Sequence, residues 1–340
     1  MKTHAIIPIF IPHEGCPHQC VFCNQKKITA RTKAVEVSEV TKIIETHLST
    51  LSKSNVKTIE IGFYGGSFTA IPLDKQAQYL QIAQTYKQQG LIHQIHLSTR
   101  PDCIDDAILS QLKKCSVDTI ELGVQSFDEE VLLASNRGHS KKSVYDSVRR
   151  IKEYHFKLGI QLMIGLPKDT KEKSIASAKE TAMLKPDVAR LYPTVILPNT
   201  PLYDSYMKGA FHPFTHDDMI ETTKNMYRIL QGADIQVIRV GLKSSDLINS
   251  AQENMPGTLH PAFRHLVESE IAKEDILSQL ALLPEKKDCI SLYSNEKSFS
   301  NLIGHKKSNL LYLREQYPES LISFHKNPSL ADYQYLVKLG

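Results

Sequence analysis

The stretch "AIIPIFIPHEGCPHQCVFC", residues 5–23, decides the fold, because an apolar run leads directly into a cysteine loop. The first seven residues are rich in isoleucine, which predicts a buried β-strand. Cys16, Cys20 and Cys23 follow in a CxxxCxxC array with no fourth cysteine nearby. A strand that ends in three clustered thiols predicts that the chemistry lies at the carboxyl end of a sheet.

Outward from this stretch, segments rich in β-branched residues alternate with helical patterns, which predicts βα units and a parallel sheet. Further strands are predicted over residues 57–64, 92–99, 119–124, 158–165 and 188–196. Helices are predicted over residues 38–52, 74–88 and 141–154, the last with Val144, Val148 and Ile151 as one apolar stripe. Six strands in this rhythm indicate an α/β fold with a barrel-like wall.

The rhythm changes near residue 200, where several prolines interrupt the chain before a helix predicted over 216–232. We therefore expect two domains, a barrel over residues 1–235 and a smaller α/β extension over residues 236–340. The extension is predicted to contain the strands "IQVIRVGL" (235–242), "KDCISLYS" (287–294) and "ESLISFH" (319–325), and helices over 259–272 and 307–316.

Composition restricts the class of protein only mildly. The 41 basic and 37 acidic residues leave a net charge of +4, which neither indicates nor excludes a nucleic-acid partner. The apolar start is broken by Pro8 and Pro12 and is too short for a signal peptide or a membrane span. We therefore expect a cytoplasmic protein with no membrane partner, in which cysteines serve as ligands, reactive thiols or core residues.

Three clustered thiols leave several interpretations open. A closed zinc site needs a fourth ligand, for which His13 or His18 would have to serve. An iron–sulfur cube normally takes four cysteines, so three would leave one iron open for an external ligand. Idle thiols are the third alternative.

Several motifs together resemble those of a known family. The motifs are "CPHQCVFC" (16–23), "GFYGGSFT" (62–69), "STRPD" (98–102), "ELGVQSFDEEVLLASNRGH" (121–139), "GLP" (165–167) and "RLYPTVILPNTPLY" (190–203). Over residues 6–242 the chain resembles radical SAM enzymes, and within them the radical SAM domain of the catalytic subunit of Elongator. The resemblance implies a partial (β/α)6 TIM-like barrel, a 4Fe-4S cluster, S-adenosylmethionine and an electron donor such as flavodoxin or ferredoxin.

The resemblance also implies roles for particular residues. Cys16, Cys20 and Cys23 would hold the cluster, and Arg137 would bind the methionine carboxylate through its planar guanidinium. The remaining implied contacts with S-adenosylmethionine are Phe22, Gly65, Gly66, Gln125, Gln161, Ile164 and Leu166. Phe22, Ile164 and Leu166 would lie by the adenine, and the two glycines would let the backbone approach the methionine amine.

The implied reaction is cleavage of S-adenosylmethionine to a 5′-deoxyadenosyl radical, with tRNA or a nucleoside as a candidate substrate. We expect the protein to differ from the Elongator subunit in lacking the basic N-terminal extension, the acetyltransferase domain and the C-terminal cysteine cluster for zinc, so a shared reaction does not follow. Basic runs at 26–33 and 141–152 are candidate RNA contacts. The alternatives are a radical enzyme acting on a small molecule such as a tetrapyrrole precursor, and a non-catalytic zinc or iron–sulfur protein.

Overall fold

The computed structural model describes residues 4–11, 16–24, 35–51, 56–242, 260–284 and 288–340. Its main feature is a sheet of seven strands, which are all parallel and follow one another in chain order. The strands are β1 (His4–Ile11), β2 (Thr58–Gly65), β3 (Gln94–Thr99), β4 (Thr119–Gln125), β5 (Lys157–Ile164), β6 (Val188–Pro193) and β7 (Gln236–Val240). The six predicted barrel strands are thereby confirmed.

Helices follow the strands, as the βα pattern predicts. In this part of the chain they are α1 (Val37–Leu51), α2 (Leu73–Gln88), α3 (Asp106–Lys114), α4 (Glu129–Ala134), α5 (Lys141–Glu153), α6 (Lys171–Leu184), α7 (Pro201–Met207) and α8 (His216–Gly232). Helix α5 illustrates how the sequence specifies such a helix. Ser140 caps its start, and the predicted stripe of Val144, Val148 and Ile151 is buried.

Contacts across the sheet show that it curls. Arg190 on β6 donates a hydrogen bond to the Tyr64 hydroxyl on β2 over 3.0 Å. Four strand spacings separate these strands, which would be about 19 Å in a flat sheet. The inner face therefore encloses a lumen, toward which alternate residues of neighbouring strands point.

One element differs from its predicted place. The strand predicted at 235–242 as part of the extension is β7, which pairs in parallel with β6 and belongs to the barrel sheet. Its assignment to a domain of residues 236–340 is wrong, because a run of prolines and two helices, rather than a domain boundary, separates it from β6. Strand β1 pairs with β2 at one border of the sheet, and Pro8 lies within it.

The C-terminal residues form a second compact unit, residues 260–340 together with 220–225. Its sheet has the order β10-β8-β9, built from β8 (Cys289–Ser294), β9 (Leu321–Lys326) and β10 (Tyr335–Leu339). Its remaining helices are α9 (Phe263–Ala281), α10 (Phe299–Ile303) and α11 (Ser308–Gln316). Ile276, Leu292 and Leu313 belong to its apolar core. The predicted strands at 287–294 and 319–325 are confirmed.

Candidate active site

A cavity of about 620 Å³ opens where the parallel strands end, the edge at which such folds bind ligands. Its lining includes nine of the residues singled out in the sequence: Cys16, Cys20, Phe22, Cys23, Gly65, Gly66, Gln125, Arg137 and Gln161. Ile164 and Leu166 are buried and are not among the described residues that line the cavity, so their contact with adenine stays a prediction.

The cysteine loop is held by backbone contacts from other parts of the barrel. The Val21 N–H donates to the Ser135 carbonyl over 3.2 Å, and the Leu202 N–H donates to the Val21 carbonyl over 2.9 Å. Phe22 packs against an apolar cluster that contains Leu202. Two distant segments therefore fix the loop, and one face of Phe22 remains in the cavity wall.

None of the three loop cysteines is in a disulfide, and Cys20 is buried whereas Cys16 is exposed. Partial desolvation of the thiol raises the pKa of Cys16, and the neighbouring Cys20 raises it further. The positive charges of Arg100 and Arg137 act in the opposite direction and lower it. In the described part of the chain, no three Cys, His, Asp or Glu side chains converge as they would on a single metal ion. Of the two histidines considered as a fourth zinc ligand, His18 lines the same cavity as the cysteines and His13 lies outside the described residues. A 4Fe-4S cluster does not require the three thiolates to converge on one ion, because it binds each thiolate through a separate iron.

The glycine pair shapes the wall beside the thiols. Gly65 has φ +116°, and a Cβ there would lie 2.9 Å from the Ile11 carbonyl oxygen. The Gly66 N–H donates to the same oxygen over 2.8 Å. The end of β2 is thereby fixed against the end of β1, at the point where the chain leaves for the cysteine loop.

Replacing Gly65 with alanine should lower the free energy of unfolding by about 2–4 kcal/mol, because a strained φ and a backbone clash add together. The matched control is Gly90→Ala, since Gly90 has φ +72° but nothing within 4 Å of the Cβ that alanine would add. That change should cost about 1 kcal/mol. Urea denaturation of both variants measures the difference, and equal losses would show that the contact with Ile11 is unimportant.

Arg137 connects the thiols to the sheet. It donates from Nη1 to the Cys20 Sγ over 3.2 Å and from Nη2 to the Gly123 carbonyl over 2.5 Å. Its Nε is buried and has no hydrogen-bond partner in the part of the chain that the structure describes. Two cationic side chains, Arg137 and Arg100, therefore stand at the thiols, where they favour anionic ligands.

The "STRPD" motif has a positioning role that the sequence left open. Arg100 forms a forked pair with Asp102, with both N···O distances 2.9 Å. Arg100 Nη2 also donates to the Arg137 carbonyl over 2.5 Å. Burial lowers the pKa of the neighbouring His139 to about 3, with Arg137 and Arg100 as further causes, so this imidazole is neutral.

Two amide side chains meet at the cavity. Gln161 Nε2 donates to Gln125 Oε1 over 3.1 Å. Gln125 has φ +70°, and the pairing of β4 with β5 shifts register between Gly123 and Gln125. Such a bulge turns a side chain out of the regular alternation between the two faces of the sheet, and here the Gln125 side chain lies in the cavity wall.

A group of four charged residues in the lumen was missed by sequence reasoning. We call Glu60, His96, Glu121 and Arg190 the lumenal ion cluster; all four are buried. Glu121 Oε2 lies 2.7 Å from Arg190 Nε and 3.5 Å from His96 Nε2, and Glu60 Oε1 lies 3.2 Å from His96 Nδ1. The available signal was a charged or histidine residue in the middle of each of four buried parallel strands, which are normally apolar.

Opposite charges decide the ionisation of this cluster. Burial alone would raise the pKa of Glu121, but Arg190 and His96 lower it to about 2. Burial alone would lower the pKa of His96, but Glu121 and Glu60 raise it to about 9. At neutral pH Glu121 is therefore an anion, and His96 and Arg190 are cations.

The second basic run is mostly paired with acids. Lys141 contacts Glu180, Lys142 contacts Asp146, Arg149 contacts Glu153 and Arg150 contacts Asp106. This pairing weakens the case for RNA contact along α5. The first run, at 26–33, lies outside the described residues. Among the helices of the described ranges, none has the length and apolar composition needed to cross a membrane.

The chain folds as a partial barrel of parallel strands with a cysteine loop at its carboxyl edge, and comparison with known proteins identifies the family. The model of the radical SAM superfamily matches residues 10–179, and that of the radical SAM C-terminal domain matches residues 186–273. The chain belongs to the radical SAM superfamily and is an enzyme of that class.

Relatives include proteins that carry names linked to tRNA. The chain is 24% identical to a tRNA uridine(34) acetyltransferase of Methanocaldococcus infernus, over 72% of this chain and 54% of that protein. It is 25% identical to Elongator complex protein 3 of Homo sapiens, over 59% of this chain and 42% of that protein. The chain thus spans about half the length of these curated relatives.

A solved structure confirms the predicted fold class. Archaeal Methanocaldococcus infernus Elp3 with an N-terminal deletion matches with a TM-score of 0.64 at 20% identity, over 81% of this chain and 64% of that chain. The partial barrel with a smaller C-terminal part is therefore the fold of this protein, with a seventh strand beyond the predicted six.

Proposed function

We propose that this protein binds a 4Fe-4S cluster through Cys16, Cys20 and Cys23, cleaves S-adenosylmethionine and modifies a uridine in tRNA. The observation that carries the proposal is the convergence of three cysteines, two glycines and Arg137 on one cavity. Membership of the radical SAM superfamily and the names of the tRNA-linked relatives support it.

The residues of the cavity fit both a 4Fe-4S cluster and S-adenosylmethionine. Thiols are the soft ligands that iron–sulfur clusters use, and a set of three leaves one position for an external ligand. The Arg137 Nε is a buried donor with no hydrogen-bond partner among the described residues, as a site for a carboxylate requires. Gly65 and Gly66 keep the adjoining wall free of side chains, so that a ligand can reach the backbone.

When bound, the cluster and S-adenosylmethionine supply reductive cleavage of the sulfonium to a 5′-deoxyadenosyl radical. The protein's own residues bind and orient. Arg137 would hold the methionine carboxylate, while Gln125 and Gln161 would offer amide groups to the ribose. Phe22 would present its apolar face to the adenine, and with Ile164 and Leu166 it would help to exclude water.

The reducing partner and the location belong to the same proposal. A low-potential carrier such as flavodoxin or ferredoxin would deliver the electron. We infer a cytoplasmic location, where the thiol pools keep cysteines reduced and available as ligands. A small-molecule substrate such as a tetrapyrrole precursor is the competing hypothesis, and an inert metal protein is the third.

The test is anaerobic reconstitution of the full chain with iron and sulfide, followed by dithionite, S-adenosylmethionine and chromatographic detection of 5′-deoxyadenosine. We expect about four irons per chain and 5′-deoxyadenosine whose yield rises when unmodified tRNA is added. A rise with coproporphyrinogen and none with tRNA would favour the small-molecule alternative. Zinc in place of iron, or a cluster that never cleaves S-adenosylmethionine, would contradict the proposal.

A further inference from the structure

The guanidinium of Arg137 has one contact that binding of a carboxylate does not explain. Its Nη1 donates to the Cys20 Sγ over 3.2 Å, and Cys20 is one of the three proposed cluster ligands. We propose that Arg137 raises the reduction potential of the bound cluster by donating this hydrogen bond to the Cys20 thiolate. The inference rests on the proposed function, because it states what adjusts the potential of the cluster that the function requires.

The two roles of Arg137 use different N–H groups. Nη1 contacts the sulfur, and Nη2 donates to the Gly123 carbonyl over 2.5 Å. Nε has no hydrogen-bond partner among the described residues and is the donor that we assign to the methionine carboxylate. The hydrogen bond to the sulfur therefore does not compete with the carboxylate for a donor.

Arg137 is a buried cation that no protein carboxylate neutralises within the described ranges. Only 7% of the residue is exposed, and its side chain donates to a sulfur and to a backbone carbonyl. Arg100, the other cation at the thiols, differs because it pairs with Asp102. A buried charge without a partner costs free energy, which a nearby anion offsets. Cysteine thiolates that bind a cluster are such anions, so the charge of Arg137 complements the ligands.

The neighbours of Arg137 in the chain fix it to the cysteine loop. Asn136 Nδ2 donates to the Gln19 carbonyl over 2.8 Å. Gly138 has φ +73°, and a Cβ there would lie 2.2 Å from the His18 ring, so the ring packs directly on this glycine. Residues on both sides of Arg137 thus hold the loop, and the contact with the buried thiol is set by the backbone as well as by the side chain.

Reduction makes the charge at the thiols more negative. One electron passes from the carrier to the cluster, the carrier is oxidised by one electron, and no covalent bond forms or breaks. A cation that donates to a ligand sulfur stabilises the more negative state, and hydrogen bonds to the sulfurs are among the factors that set cluster potentials. Because Arg137 is buried, solvent screens this interaction only weakly. Arg137 therefore makes the cluster easier to reduce.

The test is a potentiometric titration of the reconstituted full chain, in which electron paramagnetic resonance measures the reduced cluster. S-Adenosylmethionine is omitted, so that the contact with its carboxylate plays no part. Arg137→Met should lower the equilibrium constant for reduction about tenfold, the size of one hydrogen bond to a charged group. For one electron this is a midpoint potential about 59 mV more negative. Arg137→Lys keeps the charge but not the planar fork, so it should shift the potential in the same direction by less.

The matched control is Arg149→Met, because Arg149 is exposed on α5 and pairs with Glu153. Its midpoint potential should equal that of the native chain.

A second measurement uses the native chain and does not depend on how the variants fold. With arginine labelled by ¹⁵N, pulsed electron paramagnetic resonance of the reduced cluster should detect coupling to an arginine nitrogen. The coupling should disappear in labelled Arg137→Lys, which distinguishes Arg137 from Arg100 as the donor.

Several outcomes would overturn the inference. They are an unchanged or less negative midpoint potential in Arg137→Met, an equal shift in Arg149→Met, a native cluster without arginine coupling, and a coupling that persists in Arg137→Lys. If one of these is found while the native chain cleaves S-adenosylmethionine, this inference alone fails. A cluster that shows the expected shift but never cleaves S-adenosylmethionine would support this inference and overturn the proposed function. If the native chain assembles no cluster, both fail.

Discussion

Cys20→Ser should reduce both cluster content and 5′-deoxyadenosine formation to below about one per cent of the native level. Loss of a ligand should exceed the 10- to 100-fold effects seen when a residue that merely supports a ligand is changed. Cys20 is buried and receives a hydrogen bond from Arg137. Its serine counterpart would not ionise there, because a hydroxyl lacks the acidity of a thiol.

The matched control is Cys115→Ser. Cys115 is a partly buried free thiol at the end of α3 and is not among the residues described as lining the cavity. Iron and sulfide analysis, the visible spectrum of the cluster and chromatography of the products measure both variants. Retention of a full cluster in Cys20→Ser, or equal losses in both variants, would contradict the assignment of the three thiols.

Arg190→Met should lower the free energy of unfolding by about 3–5 kcal/mol, the usual cost of removing one partner of a buried ion pair. Methionine fills much of the volume but leaves Glu121 buried without its closest cation, which lies 2.7 Å away. The double variant Arg190→Met/Glu121→Gln should recover part of the loss, because the uncompensated charge is then gone. Urea denaturation at pH 7 measures the free energy of unfolding of the native protein, of Arg190→Met and of the double variant.

Arg149→Met is the control for Arg190→Met. Arg149 and Glu153 form an exposed pair on α5, with side chains 59% and 54% exposed, so removing this pair should leave the free energy of unfolding almost unchanged. Similar losses in the two variants would show that the lumenal ion cluster carries no special energetic weight.

The pH dependence of native stability gives a second measure of the cluster. The pKa of His96 is raised to about 9, so its stabilisation is complete below about pH 6.5 and is lost as the pH rises through 9. The pKa of Glu121 is lowered to about 2, so its stabilisation is present above about pH 4.5 and is lost as the pH falls through 2. In His96→Gln the decline in the free energy of unfolding between pH 6.5 and 9 should be smaller than in the native protein.

The sequence predicts the site best where a single loop or turn carries the information. The cysteine array and the glycine pair are each contiguous in the chain, and they follow strands that are easily recognised. Because parallel strands end at one edge, their proximity follows from topology alone. The cysteines and glycines could be placed at this edge on that basis, whereas Phe22, Gln125, Arg137 and Gln161 were named from the resemblance to radical SAM enzymes.

The lumenal ion cluster could not be predicted in the same way. Its four members are spread from residue 60 to residue 190, and their contact depends on strand register and on the curl of the sheet. A slip of one residue would turn each side chain to the opposite face. The bulge that places Gln125 in the cavity wall could not be predicted either, because neither neighbour of Gln125 in the sequence indicates that this residue has a positive φ.

The error at β7 has a different cause. A long interval containing two helices separates β6 from β7, and the resulting change of rhythm resembles a change of domain. Strand pairing is non-local, so the edge to which a late strand adds is not encoded in the strand's own residues.

Pro8 has a consequence for the behaviour of the protein at high concentration. A strand at the border of a sheet can recruit a strand from a second molecule through its free backbone groups, which is a common route to aggregation. Among the described strands β1 forms such a border, and Pro8 within it has no N–H to contribute to an added strand. Pro8 therefore interrupts the row of backbone donors that an added strand would need, and helps to keep the protein from polymerising through this border.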